Sequence, residues 1–457
     1  MVNSNNSLKK HDIYPLVKNK LTIIYLKRRY EMSDYKIETK CVQSGWTPTK
    51  GEPRILPIYQ STTFKYDTSE QMGDLFDLKA SGYFYTRLQN PTNDYVAAKI
   101  CDMEGGAAAM LTSSGQAANF YAVFNLAEAG DHIIISSALY GGTFNLLTTT
   151  IAKMGIETTV VDPEISLEDL KKEFKPNTKC VLAESISNPS LVVLDFEKFS
   201  TAAHEAGVPL IVDNTFPTPV HCRPFEFGVD IVTHSTTKYM DGHAASVGGC
   251  IVDSGNFDWT KYPDKFPGLC FPDESYHGTN YTEQFGKAAF IVKATATLMR
   301  DLGSIQSPQN AFYVNLGLET LHLRMQRHCE NALKVAKWLK ANDKVAWVNY
   351  PGLEGDFYYE RAKKYMPDGT CGVLTFGIKG GREASIKFMD SLKMIAIVTH
   401  VADTRSCVLH PASHTHRQMT DEQLLEAGVK PDLIRFSVGI EIADDIIGDL
   451  EQAFKNI

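Results

Sequence analysis

Between Ala107 and Val252 the chain repeats one pattern: a short strand-forming run, a turn rich in small or polar residues, then a helical stretch. The strand-forming runs fall at 107–112, 131–136, 157–161, 179–184, 210–213, 229–233 and 248–252. Helical stretches intervene at 115–126, 142–154, 167–174 and 196–206. Strands that are apolar throughout must be covered on both faces, and helices between them provide the crossovers that parallel neighbours require. The pattern predicts an α/β fold, with a mostly parallel sheet sandwiched by helices. Ligands of such sheets bind at the carboxyl ends of the strands.

Chemistry-bearing residues sit at those ends. Ser114-Gly115-Gln116 stands between a strand and a helix, where a close backbone approach and a helix N-terminus suit a phosphate. Ser235-Thr236-Thr237-Lys238 follows another apolar strand; Ser235 and Thr237 would complete the phosphate cradle. A lysine there can be kept partly desolvated and reactive, although a solvated surface lysine is the commoner fate. Asp213 closes the strand before Asn214-Thr215, as a helix cap or as a partner to a protonated ring nitrogen. Tyr140, ahead of Gly141-Gly142, is a core residue or a ring-stacking platform. A phosphate cradle, a lysine, an acid and a flat aromatic are the protein parts that pyridoxal phosphate needs.

Outside this region the periodicity is weaker. Residues 41–95 read as an extended arm, and 258–277, aromatic and Pro-rich, as a long loop or lid. Long helical stretches at 281–300 and 309–341 lead to a smaller α+β domain. Its strands are predicted near 345–349, 371–377, 394–398 and 433–437, and its helices at 383–391 and from 441.

A net charge of −8 argues against a nucleic-acid or anionic-membrane partner. No apolar run approaches the roughly 18–20 residues of a membrane span. The nine cysteines include no C-x-x-C pair, so a reducing, cytoplasmic setting fits. His414-Thr415-His416 lacks a third ligand at useful spacing and reads as a turn, so no metal is expected. The first 31 residues carry seven Lys or Arg and no Gly; they are expected to be disordered or an upstream extension.

Taken together, the motifs resemble the pyridoxal-phosphate enzymes of cysteine and methionine metabolism that act at Cγ. They are Tyr85-Thr86-Arg87 with Asn90-Pro91-Thr92, Ser114-Gly115-Gln116, Leu139-Tyr140-Gly141-Gly142-Thr143, Glu184-Ser185-Ile186-Ser187-Asn188-Pro189, Val212-Asp213-Asn214-Thr215, Ser235-Thr236-Thr237-Lys238, His410-Pro411-Ala412-Ser413 and Ile434-Arg435-Phe436. The resemblance implies a fold-type I pyridoxal-phosphate enzyme with Lys238 as its Schiff-base lysine and Asp213 on the pyridinium. It further implies Tyr140 on the ring, Asn188 at the cofactor or substrate, and Ser114, Gly115, Gln116, Thr215, Ser235 and Thr237 around the cofactor. Tyr85 and Arg87 would reach a neighbouring subunit's site, requiring at least a dimer and favouring a tetramer. Arg435 would clamp a substrate α-carboxylate, with Thr399 and His400 nearby; Tyr85 and Asn188 would also touch substrate. The implied division is an arm at 32–95, a cofactor domain at 96–305 and a C-terminal domain at 306–457.

Two departures stand out. The loop before His410 reads Thr399-His400-Val401-Ala402-Asp403 where the family carries a Ser- or Asn-containing loop. Gly142 stands where methionine γ-lyases place a cysteine. The first leaves the fine substrate geometry open and the second argues against the lyase branch, while the 271–303 stretch resembles the O-acetylhomoserine sulfhydrylase branch, whose substrates are an amino-acid ester and sulfide or a small thiol. The expected products are homocysteine or methionine plus acetate. A γ-lyase acting on methionine or cystathionine is the alternative. Acetyl against succinyl or phospho esters, and sulfide against methanethiol, stay open at this point.

Overall fold

The computed structural model describes residues 34–414, 417 and 430–457. The basic stretch 1–31, and Thr415 and His416 of the His-Thr-His turn, lie outside the described residues.

Seven strands form the larger sheet: β1 (Ala108–Thr112), β2 (His132–Ser136), β3 (Glu157–Val161), β4 (Thr178–Glu184), β5 (Leu210–Asp213), β6 (Ile231–His234) and β7 (Gly249–Asp253). Their order is β1-β7-β6-β5-β4-β2-β3. The neighbours among β2 to β6 are parallel, whereas β7 runs antiparallel to both β1 and β6. The reason lies in the connection. Residues 235–248 form turns and no helix, so β7 returns beside β6 without the helical crossover that a parallel neighbour needs. Since β7 opposes both of its neighbours, β1 and β6 point the same way. The carboxyl ends of β1, β2, β4, β5 and β6 therefore share one edge of the sheet.

Burial follows the apolar pattern. Ile133, Ile134 and Ile135 of β2 and Val181, Leu182 and Ala183 of β4 are fully buried. Each large aliphatic side chain so buried contributes roughly 1.5–3 kcal/mol. Helices start where the sequence supplies caps. Asn90 accepts from the Thr92 amide at 3.0 Å ahead of the helix Pro91–Glu104, and Ser114 accepts from the Ala117 amide at 3.1 Å ahead of Gly115–Phe124.

The smaller sheet comprises β8 (Val345–Asn349), β9 (Val373–Ile378), β10 (Ala396–Ile397), β11 (Cys407–Leu409) and β12 (Leu433–Ser437), in the order β10-β11-β12-β9-β8. The helix Leu321–Ala341 joins the two parts. Leu321 and Met325 belong to the large core, and Ala332, Val335, Ala336 and Leu339 to the small one.

Two expectations change. The 258–277 stretch is packed and locally helical. It folds as single turns at Trp259–Lys261, Pro267–Cys270 and Glu274–Tyr276, and it buries Trp259, Phe266, Leu269 and Tyr276. The Trp259 ring lies 5.0 Å from Phe266 and 5.8 Å from Phe290. One-turn helices carry no period, which is why the stretch reads as irregular. The arm is also not wholly extended: Ser69–Phe76 is a helix capped by Thr68, whose hydroxyl accepts from Gln71 at 3.2 Å.

Candidate active site

Along the shared edge lies a cavity of about 210 Å³. It gathers Ser114, Gly115, Gln116, Tyr140, Asn188, Asp213, Thr215, Ser235, Thr237, Lys238, Thr399 and Arg435, which come from opposite ends of the sequence. All but Arg435, which stands in the middle of β12, reach it from a strand end, a helix start or the loop beyond a strand.

The acid is held by neighbours on two elements. Thr215 donates to Asp213 Oδ1 through its amide at 3.0 Å and its hydroxyl at 2.5 Å, and Asn119 donates to Oδ2 at 3.2 Å. The Thr215 hydroxyl in turn accepts from the Ser235 amide at 2.8 Å, fixing the loop of Lys238 to the acid's own turn. Thr237 and Gly248 exchange hydrogen bonds at 3.1 and 3.0 Å, closing that loop against the start of β7.

Gly115 permits a close approach between two walls of the site. A Cβ there would meet the Ser235 Cβ at 2.7 Å and its Cα at 2.9 Å. Gly115→Ala is therefore expected to push the helix away from the 235 loop. The expected cost is about 1–3 kcal/mol of stability with weaker cofactor retention, read as Tm and as cofactor Kd. Gly142 serves Tyr140 in the same way, since a Cβ at 142 would strike that ring at 2.6 Å.

Burial, followed by the neighbouring Arg435 guanidinium, pushes the Lys238 amine down to about 8. Arg435 is buried and donates to the Thr399 and His400 carbonyls, both at 3.1 Å, and to Asn188 Oδ1 at 3.3 Å. His400 approaches the lysine directly, with its Nδ1 at 3.5 Å from Lys238 Nζ.

Tyr85 and Arg87 do not reach this cavity. They line a second one of about 530 Å³, with Phe76, Phe84, Tyr276, His277 and Arg300. Conversely, sequence reasoning missed Asn119 and gave no role to Glu184. Asn119 stands four residues after Gly115, one helical turn on, which brings it over Asp213. Glu184 pairs with Asp213 across β4 and β5, and accepts from the Tyr140 amide at 2.7 Å and the Asn188 amide at 3.0 Å. Burial, then the Asp213 carboxylate, holds its carboxyl well above the usual range. A carboxylate ending a buried strand was visible in the sequence; its two loop partners were not.

This donor set suits pyridoxal phosphate. It offers an amine of lowered basicity and a carboxylate fixed by two partners on the same cavity wall. It also offers an aromatic ring at the cavity and hydroxyls beside a helix N-terminus, whose first amides have no intrahelical acceptor.

Comparison with known proteins agrees with the geometry. The family model described as the Cys/Met metabolism PLP-dependent enzyme matches residues 38–455. An O-acetyl-L-homoserine sulfhydrylase from Leptospira meyeri is 44% identical over 434 residues, covering 93% of this chain and 98% of that protein. A homocysteine/cysteine synthase from Saccharomyces cerevisiae is 44% identical over 415 residues, covering 88% of this chain and 93% of its own length. A Campylobacter jejuni protein named for O-acetylhomoserine (thiol)-lyase activity, solved with a pyridoxyl-lysine phosphate, superposes with a TM-score of 0.89. It is 36% identical and covers 92% of this chain and all of its own. With its cavity at the strand ends and a family match that runs almost from end to end, this chain belongs to the pyridoxal-phosphate-dependent enzymes of cysteine and methionine metabolism.

Proposed function

We propose that the chain is a transferase of the O-acetylhomoserine sulfhydrylase type. It would convert O-acetylhomoserine and sulfide, or a small thiol, to homocysteine or methionine and acetate. The observation that carries the reading is the pairing of Lys238 and Arg435 in one cavity. A guanidinium for an α-carboxylate beside an amine for an α-proton is what an amino-acid substrate requires. Supporting it are the names of the similar proteins and Gly142 beside Tyr140.

Bound pyridoxal phosphate supplies an electron sink for charge developing at the substrate's Cα. The chain does the rest. Lys238 holds the cofactor, and its freed amine takes the α-proton. Asp213, fixed by Asn119 and Thr215, keeps a ring nitrogen protonated. Ser114, Gly115, Gln116, Ser235 and Thr237 hold a phosphate, Tyr140 covers the ring, and Asn188 orients cofactor or substrate beside Arg435. Residues 96–305 form the cofactor unit and 306–457 bring Arg435. No helix among the described residues is long and apolar enough to cross a membrane, and a biosynthetic reaction of small polar molecules suits the cytoplasm.

Tyr85 and Arg87, remote from Lys238 in their own chain, are assigned to the phosphate of a neighbouring subunit's site, so the active form is at least a dimer. This gives a sharp expectation. Lys238→Ala and Arg87→Ala proteins, each nearly inactive, should regain roughly a quarter of wild-type activity when their subunits mix at random, because one site per hybrid dimer is intact. Mixing without any recovery would show that Arg87 acts in its own subunit.

The activity itself is tested by supplying O-acetylhomoserine with and without sulfide. Homocysteine formed only with sulfide supports replacement, and a 2-oxo acid and ammonia formed in both cases would establish elimination.

A further inference from the structure

The Thr399–Asp403 loop departs from the family pattern, and the structure places its histidine against the reacting amine. His400 Nδ1 is 3.5 Å from Lys238 Nζ, and its Nε2 is 3.7 Å from Asp403 Oδ2. The backbone holds this arrangement from both sides. The His400 carbonyl accepts from Arg435, and Asp403, which is buried, accepts from the Arg405 amide at 2.7 Å. A lysine ammonium can only donate, so Nδ1 is the acceptor and the imidazole proton rests on Nε2, facing the Asp403 carboxylate.

We propose that His400 is a second proton-handling residue of this site, taking at Nδ1 the proton that Lys238 has removed from the substrate, with Asp403 holding the imidazolium. The lysine N–H bond breaks and an Nδ1–H bond forms, so that Lys238 becomes a neutral amine again and the positive charge moves onto the ring between Lys238 and Asp403. The groups facing the imidazole act in both directions. Burial and the Lys238 ammonium hold it down to about 4, Asp403 and Asp241 pull the other way, and Arg435 opposes its charge. When Lys238 gives up its proton, the charge that opposed the imidazolium is the one that disappears. An asparagine at 400 has no basic nitrogen and could not take that proton.

The inference rests on Lys238 being the cofactor lysine, and two measurements test it. In the cofactor-free protein with nitrogen-labelled histidine, Lys238→Ala is expected to raise the His400 titration midpoint by about one pH unit or more. An unmoved midpoint overturns the coupling. In the loaded enzyme the probe is L-2-aminobutyrate, which has no leaving group, and the readout is exchange of its α-proton in heavy water. His400→Asn is expected to slow exchange at saturation about tenfold or more, with KM changed less than about threefold and the cofactor absorbance retained. A raised KM with unchanged saturated exchange means that His400 only lines the substrate pocket, and overturns the proposal. If His400→Asn fails to load cofactor, Asp403→Asn decides, since the proposal requires its saturated exchange to fall as well. Absence of exchange in the wild-type enzyme would instead count against the Lys238 assignment.

Discussion

Lys238→Ala is expected to give a folded protein that retains pyridoxal phosphate without a covalent bond and turns over about 10²–10⁴-fold more slowly. The fold should survive because Lys238 belongs to neither hydrophobic core, and its loop is tied down by the Ser235 amide to Thr215 and by Thr237 to Gly248. The side chain supplies the amine that burial and Arg435 push down to about 8. The sign follows: a base must be neutral, and the neutral fraction grows as pH rises through the lowered value. Wild-type kcat, which reports the complex in which substrate has freed the lysine, should climb from pH 7 and level off near 9, whereas an amine at its ordinary 10.5 would still be climbing there. The check is the visible spectrum and a pH–rate profile of both proteins. An active Lys238→Ala enzyme would remove the lysine from the chemistry.

Arg435→Lys should be nearly as costly although it keeps the charge. The guanidinium spans the Thr399 carbonyl, the His400 carbonyl and Asn188, a set that only a planar fork can meet at once. A lysine would lose the parallel pair of donors to a substrate carboxylate and leave buried carbonyls short of a partner. Each charge-assisted bond is worth roughly 1.5–3 kcal/mol. Loss of two should lower kcat/KM by about 10²–10⁴-fold, mostly through KM, with a small drop in Tm. If KM is unchanged, Arg435 is an internal brace for the 399–400 loop and some other group receives the carboxylate.

How much of this could be read beforehand varied with the physics. Buried strands are apolar runs, so β2, β4 and β5 stood out in the sequence, and so did the residues at their ends. An apolar run has no direction, however, and the antiparallel course of β7 came only with the short turn 235–248. Strands of two or three residues, such as β10 and β11, are too short for a period; β11 was missed, and β10 came out longer than it is. Partnerships across the sheet were equally hidden. Asn119 on Asp213, and Glu184 joining the Tyr140 and Asn188 loops, connect residues far apart in sequence. His400 was marked by its departure from the family loop, but its position against Lys238 depends on β6 and the smaller sheet meeting. Tyr85 and Arg87 carry a motif whose cavity lies elsewhere in their own chain.

The most direct test of the account is to reduce the cofactor-loaded enzyme with borohydride, digest it and locate the pyridoxyl-phosphate by mass spectrometry. A single modified peptide is expected, the one carrying Lys238 in the turn after β6. Modification of a different lysine, or none, would contradict it.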